Sequence, residues 1–269
     1  MFDGNLIFRS RESFAIIALE YLTQLSQPVE EAYVMSEALS PSVIESLREF
    51  DSATIANAIE YFEARDRTTG YATGDLVCQT PEITQPMVGC AISCKFDSTT
   101  PGDRRPSGLG ELIELVNSAP KPSVLVVEHL GHDRKRSCLF GDMFCTSVEK
   151  LGCTGIVTDS NGRDRKSIRK RTPKFQVFCT GWVVSHGYGV FLDLNVTVSI
   201  CGLTIQPGDL LHGDESGLVS IPKEIVGGVV KRATEVRREE AEFFKFLGSR
   251  RFTVEELKRR ITPHLRSKN

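Results

Sequence analysis

The sequence predicts an α/β protein, and two patterns carry that prediction. Between about residues 85 and 200, short apolar runs of strand length alternate with segments of helical periodicity. On either side, residues 41–62 and 223–260 read as helix, the first by an apolar stripe and the second by a long charged run.

The elements follow in order. Residues 10–39 read as helical: Ser10 can cap with Glu12 nearby, Phe14, Ile17, Leu19, Tyr21 and Leu22 supply apolar content, and Gln27-Pro28 interrupts the run. Ser40-Pro41 marks a boundary, because proline is tolerated in a first helical turn. Val43, Ile44, Leu47 and Phe50 then form one stripe. Asp51-Ser52 opens a further helix with Ile55, Ile59 and Phe62 on one face. Residues 87–94, 123–128, 155–158, 175–180, 192–198 and 218–221 read as strands, with helices at 110–117 and 142–151. Pro207-Gly208-Asp209 is a turn by its proline and glycine geometry. The expected organisation is a helical extension over residues 1–40, an α/β core over 41–222 and a helical segment over 223–269 packing on a neighbouring subunit.

Composition excludes several classes. The chain has 269 residues, 40% of them hydrophobic, enough for a sizeable core. With 33 Lys and Arg against 35 Asp and Glu, the net charge of -2 argues against non-specific nucleic-acid binding. One stretch stands out: Arg163, Arg165, Lys166, Arg169, Lys170, Arg171 and Lys174 form either a solvated helix face or a cationic rim for an anion. The eight cysteines contain no CxxC pair and sit mostly in apolar runs, so they read as reduced, buried thiols of a cytoplasmic protein. No apolar run approaches the roughly 20 residues that span a bilayer, and residues 1–10 lack a signal-peptide pattern.

The chemistry concentrates in residues 124–168. Gly141, Asp142, Met143 and Phe144 open a helix whose buried stripe is Val148 and Leu151, with Gly152 as its stop. Free backbone N–H groups at such a start can seat a carboxylate; the plainer reading is that Asp142 caps the helix. Asp159-Ser160-Asn161-Gly162-Arg163-Asp164 follows an apolar run, at the carboxyl end of a strand where α/β sheets bind ligands. There Arg163 offers a planar fork for carboxylate or enolate oxygens, and Asp164 offers a hard oxygen suited to magnesium or manganese. The plainer reading is a turn with an Asp-capped helix and a surface ion pair.

Asp142 and Arg163 are separated by twenty residues, with Asp164 immediately after. Together with residues 47–61 and 124–128, the Pro207-Gly208-Asp209 turn and the segment from Gly213 to Pro222, this spacing resembles the RraA-like family. That family includes 4-hydroxy-4-methyl-2-oxoglutarate aldolases, oxaloacetate decarboxylases and regulators of ribonuclease activity. The resemblance implies a three-layer β/β/α fold of the swivelling-domain type and a homotrimer, or a hexamer of stacked trimers. It implies a class II lyase that cleaves a carbon–carbon bond of a small 2-oxo acid through a pyruvate enolate, with Mg2+ or Mn2+ as cofactor. Gly141, Asp142, Met143, Phe144 and Arg163 would bind substrate. Arg163 would contact the keto or enolate oxygen, Asp142 would orient a water on the metal, and Asp164 would hold the ion. Glu239 or Glu240 of an adjacent subunit would approach the metal shell. Ser160 stands where the family usually has glycine, and Ser167 where an acidic residue often follows.

Two alternatives compete. Lys95 could serve a Schiff-base aldolase instead, and a non-catalytic member would bind a ribonuclease or another protein through its surface. His132, close in sequence to the motif, is a further candidate neighbour of the site.

Overall fold

A computed structural model describes residues 40–101 and 108–265. The chain divides into two units, Met1–Pro41 and Ser42–Asn269. The helix expected over residues 10–39 lies outside the described residues, and the architecture is that of the second unit.

Helix α1 (Pro41–Leu47) buries Ile44 and Leu47, and Phe50 closes the same stripe. Asp51 ends that turn in an extended conformation and caps α2 (Ser52–Glu60), its carboxylate accepting from the Thr54 amide at 2.8 Å. A two-residue strand β1 (Val77–Cys78) leads to β2 (Met87–Asp97), which is buried along nearly its whole length. Helix α3 (Leu109–Ser118) then returns the chain to β3 (Ser123–His129).

The site region contains β4 (Cys138–Phe140), α4 (Asp142–Lys150), β5 (Cys153–Thr158), β6 (Asn161–Gly162) and α5 (Arg165–Arg171). After it come β7 (Gln176–Cys179), β8 (Gly181–Trp182), β9 (Val190–Leu194), β10 (Val198–Ile200), β11 (Leu203–Ile205), β12 (Leu210–Asp214) and β13 (Gly217–Ile221). A short 3-10 turn enters α6 (Val226–Leu247), and α7 (Val254–Leu265) follows.

The main sheet runs β1-β7-β5-β3-β2-β12-β13, with β9 also paired to β2. Its centre, β2, β3, β5 and β7, is parallel, and the flanking pairs are antiparallel. Strands covered on both faces read as continuous apolar runs, and β3 shows why. Leu125 and Val127 pack on one face with Leu112 and Val116 of α3, Val148 of α4 and Ile168 of α5. Val124 and Val126 pack on the other with Val198, Ile200, Leu203 and Ile205 of the β10–β11 hairpin. Alternation with period two thus feeds two cores, and the layers are hairpin, sheet and helices: a three-layer β/β/α arrangement. Each fully buried Leu, Ile or Val adds about 1.5–3 kcal/mol of transfer free energy.

The run at 192–198 is two strands. Asn195 takes a left-handed conformation, φ 57°, which breaks the run and sends β10 into the hairpin layer. Helix α4 stops at Leu151, and Gly152 turns the chain with φ 92°, a value that needs a residue without a Cβ.

Candidate functional site

Three very short strands build the site. β4 pairs with β6, and β6 with β8, all parallel, in a small sheet separate from the main one. Their carboxyl ends therefore open on the same side. The Arg163 amide donates to the Phe140 carbonyl at 2.9 Å, and the Val183 amide to the Gly162 carbonyl at 2.9 Å. These bonds bring Gly141 and Asp142, at the end of β4, beside Arg163 and Asp164, at the end of β6.

A buried polar network holds this register. The Asn161 amide group donates to the carbonyls of Ser137, Arg134 and Lys135 at 2.9, 3.1 and 3.3 Å. Ser160 Oγ donates to Ser137 Oγ at 2.7 Å, and Ser137 Oγ lies 3.0 Å from Ser98 Oγ. Asp159 is fully buried; its Oδ1 accepts from the His129 amide at 2.8 Å, and Oδ2 lies 2.9 Å from Arg134 in an ion pair without hydrogen-bond alignment. Burial pushes the Asp159 carboxyl up, against the His129 amide and Arg134.

Neither aspartate of the motif makes a side-chain N-cap bond of the usual kind. Gly141 holds the N-cap position of α4, extended at φ -131°, and Asp142 is the first helical residue. Asp164 holds the N-cap position of α5, but in a left-handed conformation, φ 63° and ψ 31°, with no capping bond from its side chain. Aspartate tolerates that region better than most residues. The conformation turns its carboxylate back onto Gly141, where a Cβ would stand 2.6 Å from Asp164 Oδ2 and 3.2 Å from Arg163 Nε. Arg163 Nε lies 3.4 Å from Asp164 Oδ2, and both side chains are more than a third exposed. Gly141, the neighbour of Asp142 in the sequence motif, therefore touches the Arg163-Asp164 pair.

Asp142 faces α5. Its Oδ2 accepts from Ser167 Oγ at 2.6 Å and from Arg171 Nε at 3.1 Å. The Ser167 hydroxyl holds its carboxyl below the usual range, with the Met143 amide and Arg171 assisting against desolvation. Met143 projects into solvent, 83% exposed, whereas Phe144 stacks on Phe191 at 5.7 Å between centroids. Within the first turn of α4, the Met143 and Phe144 amides have no partner in the helix ladder.

The basic stretch is α5 and the turn after it, and several of its cations are engaged. Arg169 pairs with Glu82 at 2.7 Å, Arg171 with Asp142, and Arg165 lies over the Trp182 ring at 5.5 Å. Trp182 is itself fixed by a 2.8 Å bond from its indole N–H to Gln79 Oε1. Sequence reasoning missed the Ser167 and Arg171 contacts; their i, i+4 spacing on one helix face was the signal available.

The other candidates lie apart. His132 is exposed in the loop before β4, and no hydrogen bond or ion pair joins it to Asp142, Arg163 or Asp164. Lys95 sits within β2, in register with Glu128 and Leu192. Glu239 accepts from Arg232 at 3.1 Å within α6, and Glu240 accepts from Asn57 of α2 at 3.4 Å. All eight cysteines are free, six of them buried, and burial pushes the Cys94 and Cys179 thiols up to about 12. Among the described residues no three His, Cys, Asp or Glu side chains cluster as a metal cage, and no helix is long and apolar enough to cross a membrane.

A small parallel sheet that presents a glycine, two aspartates and an arginine at its carboxyl edge is the setting in which comparison with known proteins becomes informative. The family model described as RraA-like, Aldolase/RraA, matches residues 52–220, and the chain belongs to that family. An uncharacterized protein of Methanocaldococcus jannaschii is 30% identical over 132 residues, 49% of this chain and 62% of that protein. An Azotobacter vinelandii protein named "Putative 4-hydroxy-4-methyl-2-oxoglutarate aldolase" is 31% identical, covering 58% of this chain and 96% of its own length. Among solved structures, Streptomyces coelicolor RraAS2, described as an unusual member of the RNase ES inhibitor RraA protein family, shares the fold. Its TM-score is 0.60 at 24% identity, over 77% of this chain and 98% of that one. The chain spans 62%, 32% and 57% of the length of the first three curated relatives it matches.

Proposed function

We propose that this chain is a metal-dependent lyase that cleaves a carbon–carbon bond of a 2-oxo acid through a pyruvate enolate. One observation carries the reading: the Asp164 carboxylate and the Arg163 guanidinium lie against Gly141, at the foot of helix α4. Relatives named as aldolases support the same class.

The residues present fit a magnesium-type ion. Such ions keep several waters and bind through one or two carboxylates plus substrate oxygens. Asp164 supplies one carboxylate, uncommitted to capping and more than a third exposed. When bound, Mg2+ or Mn2+ would supply Lewis-acid polarisation of the substrate's carboxylate and keto oxygens.

This chain's own groups do the rest. The Phe144 amide, with that of Met143, receives the substrate carboxylate at the positive end of α4. Arg163 donates to the keto oxygen, and its charge-assisted bond strengthens as that oxygen becomes an enolate. Asp142 presents its carboxylate to the water that carries the proton. Aldol cleavage and decarboxylation of a 2-oxo diacid pass through the same enolate, so one site serves both. A second copy of the chain would complete the site in a trimer or hexamer, with Glu239 or Glu240 approaching from the neighbour.

The test is pyruvate release from a panel of 2-oxo acids, with and without Mg2+ or Mn2+. We expect activity that EDTA abolishes, that Asp164→Ala removes, and that Arg163→Met lowers about a hundredfold or more, the loss of about 3–4 kcal/mol typical of such a donor. Activity that survives EDTA, with borohydride trapping substrate on Lys95, would overturn the metal reading. Saturable inhibition of a ribonuclease with no turnover of any oxo acid would replace the enzyme with a protein-binding regulator.

A further inference from the structure

Helix α5 reaches back to the first turn of α4 through two side chains one turn apart. Ser167 Oγ donates to Asp142 Oδ2 at 2.6 Å, and Arg171 Nε donates to the same oxygen at 3.1 Å and to Ser167 Oγ at 3.3 Å. The i, i+4 spacing puts both on one face of α5, while Ile168 anchors the helix in the core. Asp164 lies at the amino end of that helix, and Asp142 is the first residue of the other. The clip therefore joins the two arms of the site directly, rather than through the sheet beneath.

We propose that Ser167 and Arg171 are positioning residues. They hold Asp142 by Oδ2, keep the turn from Gly141 to Phe144 in register with Arg163 and Asp164, and leave Oδ1 as the oxygen that meets water or substrate. The proposal rests on the lyase reading above and deepens it. A carboxylate on a first helical turn otherwise samples several rotamers; two donors on one oxygen select a single one. The two contacts are unequal. The Arg171 side chain is 60% exposed, so its ion pair is screened by water. The Ser167 bond is short, from a neutral hydroxyl to a charged acceptor, and Ser167 is half-buried. Ser167 therefore dominates the clip. An acidic side chain at that position would repel Asp142, so this chain fixes its first aspartate in a way that a carboxylate at 167 could not.

The experiment is a double-mutant cycle on the full chain. Pyruvate release from oxaloacetate with Mg2+ is measured for the wild type, Ser167→Ala, Arg171→Met, Asp142→Asn and the combinations. A misplaced group costs between about tenfold and a hundredfold, so we expect Ser167→Ala to lower kcat/KM about tenfold and Arg171→Met about threefold. On the Asp142→Asn background the same changes should matter less than about twofold, because they act through that carboxylate. Ser167→Thr should restore most of the loss. Amide hydrogen exchange at Cys145, whose N–H donates to the Gly141 carbonyl at 3.1 Å, needs no turnover and should quicken in Ser167→Ala while β3 and β5 amides stay unchanged. Additive losses on the Asp142→Asn background, or unaltered exchange at Cys145, would overturn the clip. A wild type that releases no pyruvate from any oxo acid while exchange still responds would instead overturn the lyase reading and leave the clip as a structural contact.

Discussion

Gly141 is the residue on which the site turns, and its reason is space. Its backbone, φ -131° and ψ -170°, is open to any residue, so no left-handed freedom is required. What it lacks is a Cβ, which would stand 2.6 Å from the Asp164 carboxylate. That carboxylate is the end of a side chain at an exposed turn and can swing away. Gly141→Ala should therefore cost less than about 1 kcal/mol of folding stability, yet move the carboxylate by about 1 Å and lower kcat/KM up to about a hundredfold. Urea denaturation beside steady-state kinetics separates the two. A large stability loss with normal kinetics in the folded fraction would show that the contact is structural.

At the scale of elements, capping explains where α2 begins and why it matters. Asp51 accepts from the Thr54 amide at 2.8 Å and from its hydroxyl at 2.9 Å. The helix so started buries Ile55, Ala58 and Ile59, and packs beside α6, which buries Val229, Ala233 and Val236. Asp51→Ala should lower stability by about 1 kcal/mol, seen as a lower urea midpoint with an unchanged slope. Catalysis should be unaffected, because α2 carries none of the site residues. The pair α4 and α5 behaves in the opposite way: both are short, and their value lies in what their first turns present.

Across the whole molecule, one buried histidine ties separate parts together. His212 of β12 is fully buried, its Nδ1 2.9 Å from Ser52 Oγ at the start of α2 and its Nε2 3.1 Å from the Leu47 carbonyl at the end of α1. That pattern fits the neutral ring: Nε2–H donates to the carbonyl and Nδ1 accepts from the hydroxyl. Burial pushes its pKa below the ordinary value of 6.5, against the pull of the Leu47 carbonyl and Asp214. Below pH 6.5 the unfolded chain takes up a proton that the folded chain refuses. The stability contributed by the neutral ring is thus fully present above pH 6.5 and is lost as pH falls from there through the depressed folded value. Burial depresses His129 in the same direction, so both contribute. The urea midpoint should fall between pH 7 and pH 5, and His212→Gln should flatten that slope. An unchanged slope in the variant would assign the effect elsewhere.

Local pattern by itself determined the α/β class, strands β2, β3, β5, β7 and β13, helices α1 to α4 and the long helix α6, and the residues of the Asp/Arg-Asp motif. Long apolar runs and helical stripes report burial directly, because a strand covered on two faces or a helix covered on one has few other ways to satisfy its side chains. Only the tertiary structure decided the rest. β4, β6 and β8 have two or three residues each and exist through pairing with one another, so no periodicity announces them. The left-handed turn at Asn195 divides an apolar run that reads as continuous. The conformation of Asp164, and the grip of Ser167 and Arg171 on a carboxylate 25 and 29 residues earlier, are set by two chain segments meeting across the small sheet. Spacing along a chain measures how far two groups lie apart in sequence; the direction each side chain takes is fixed by the neighbours that folding supplies.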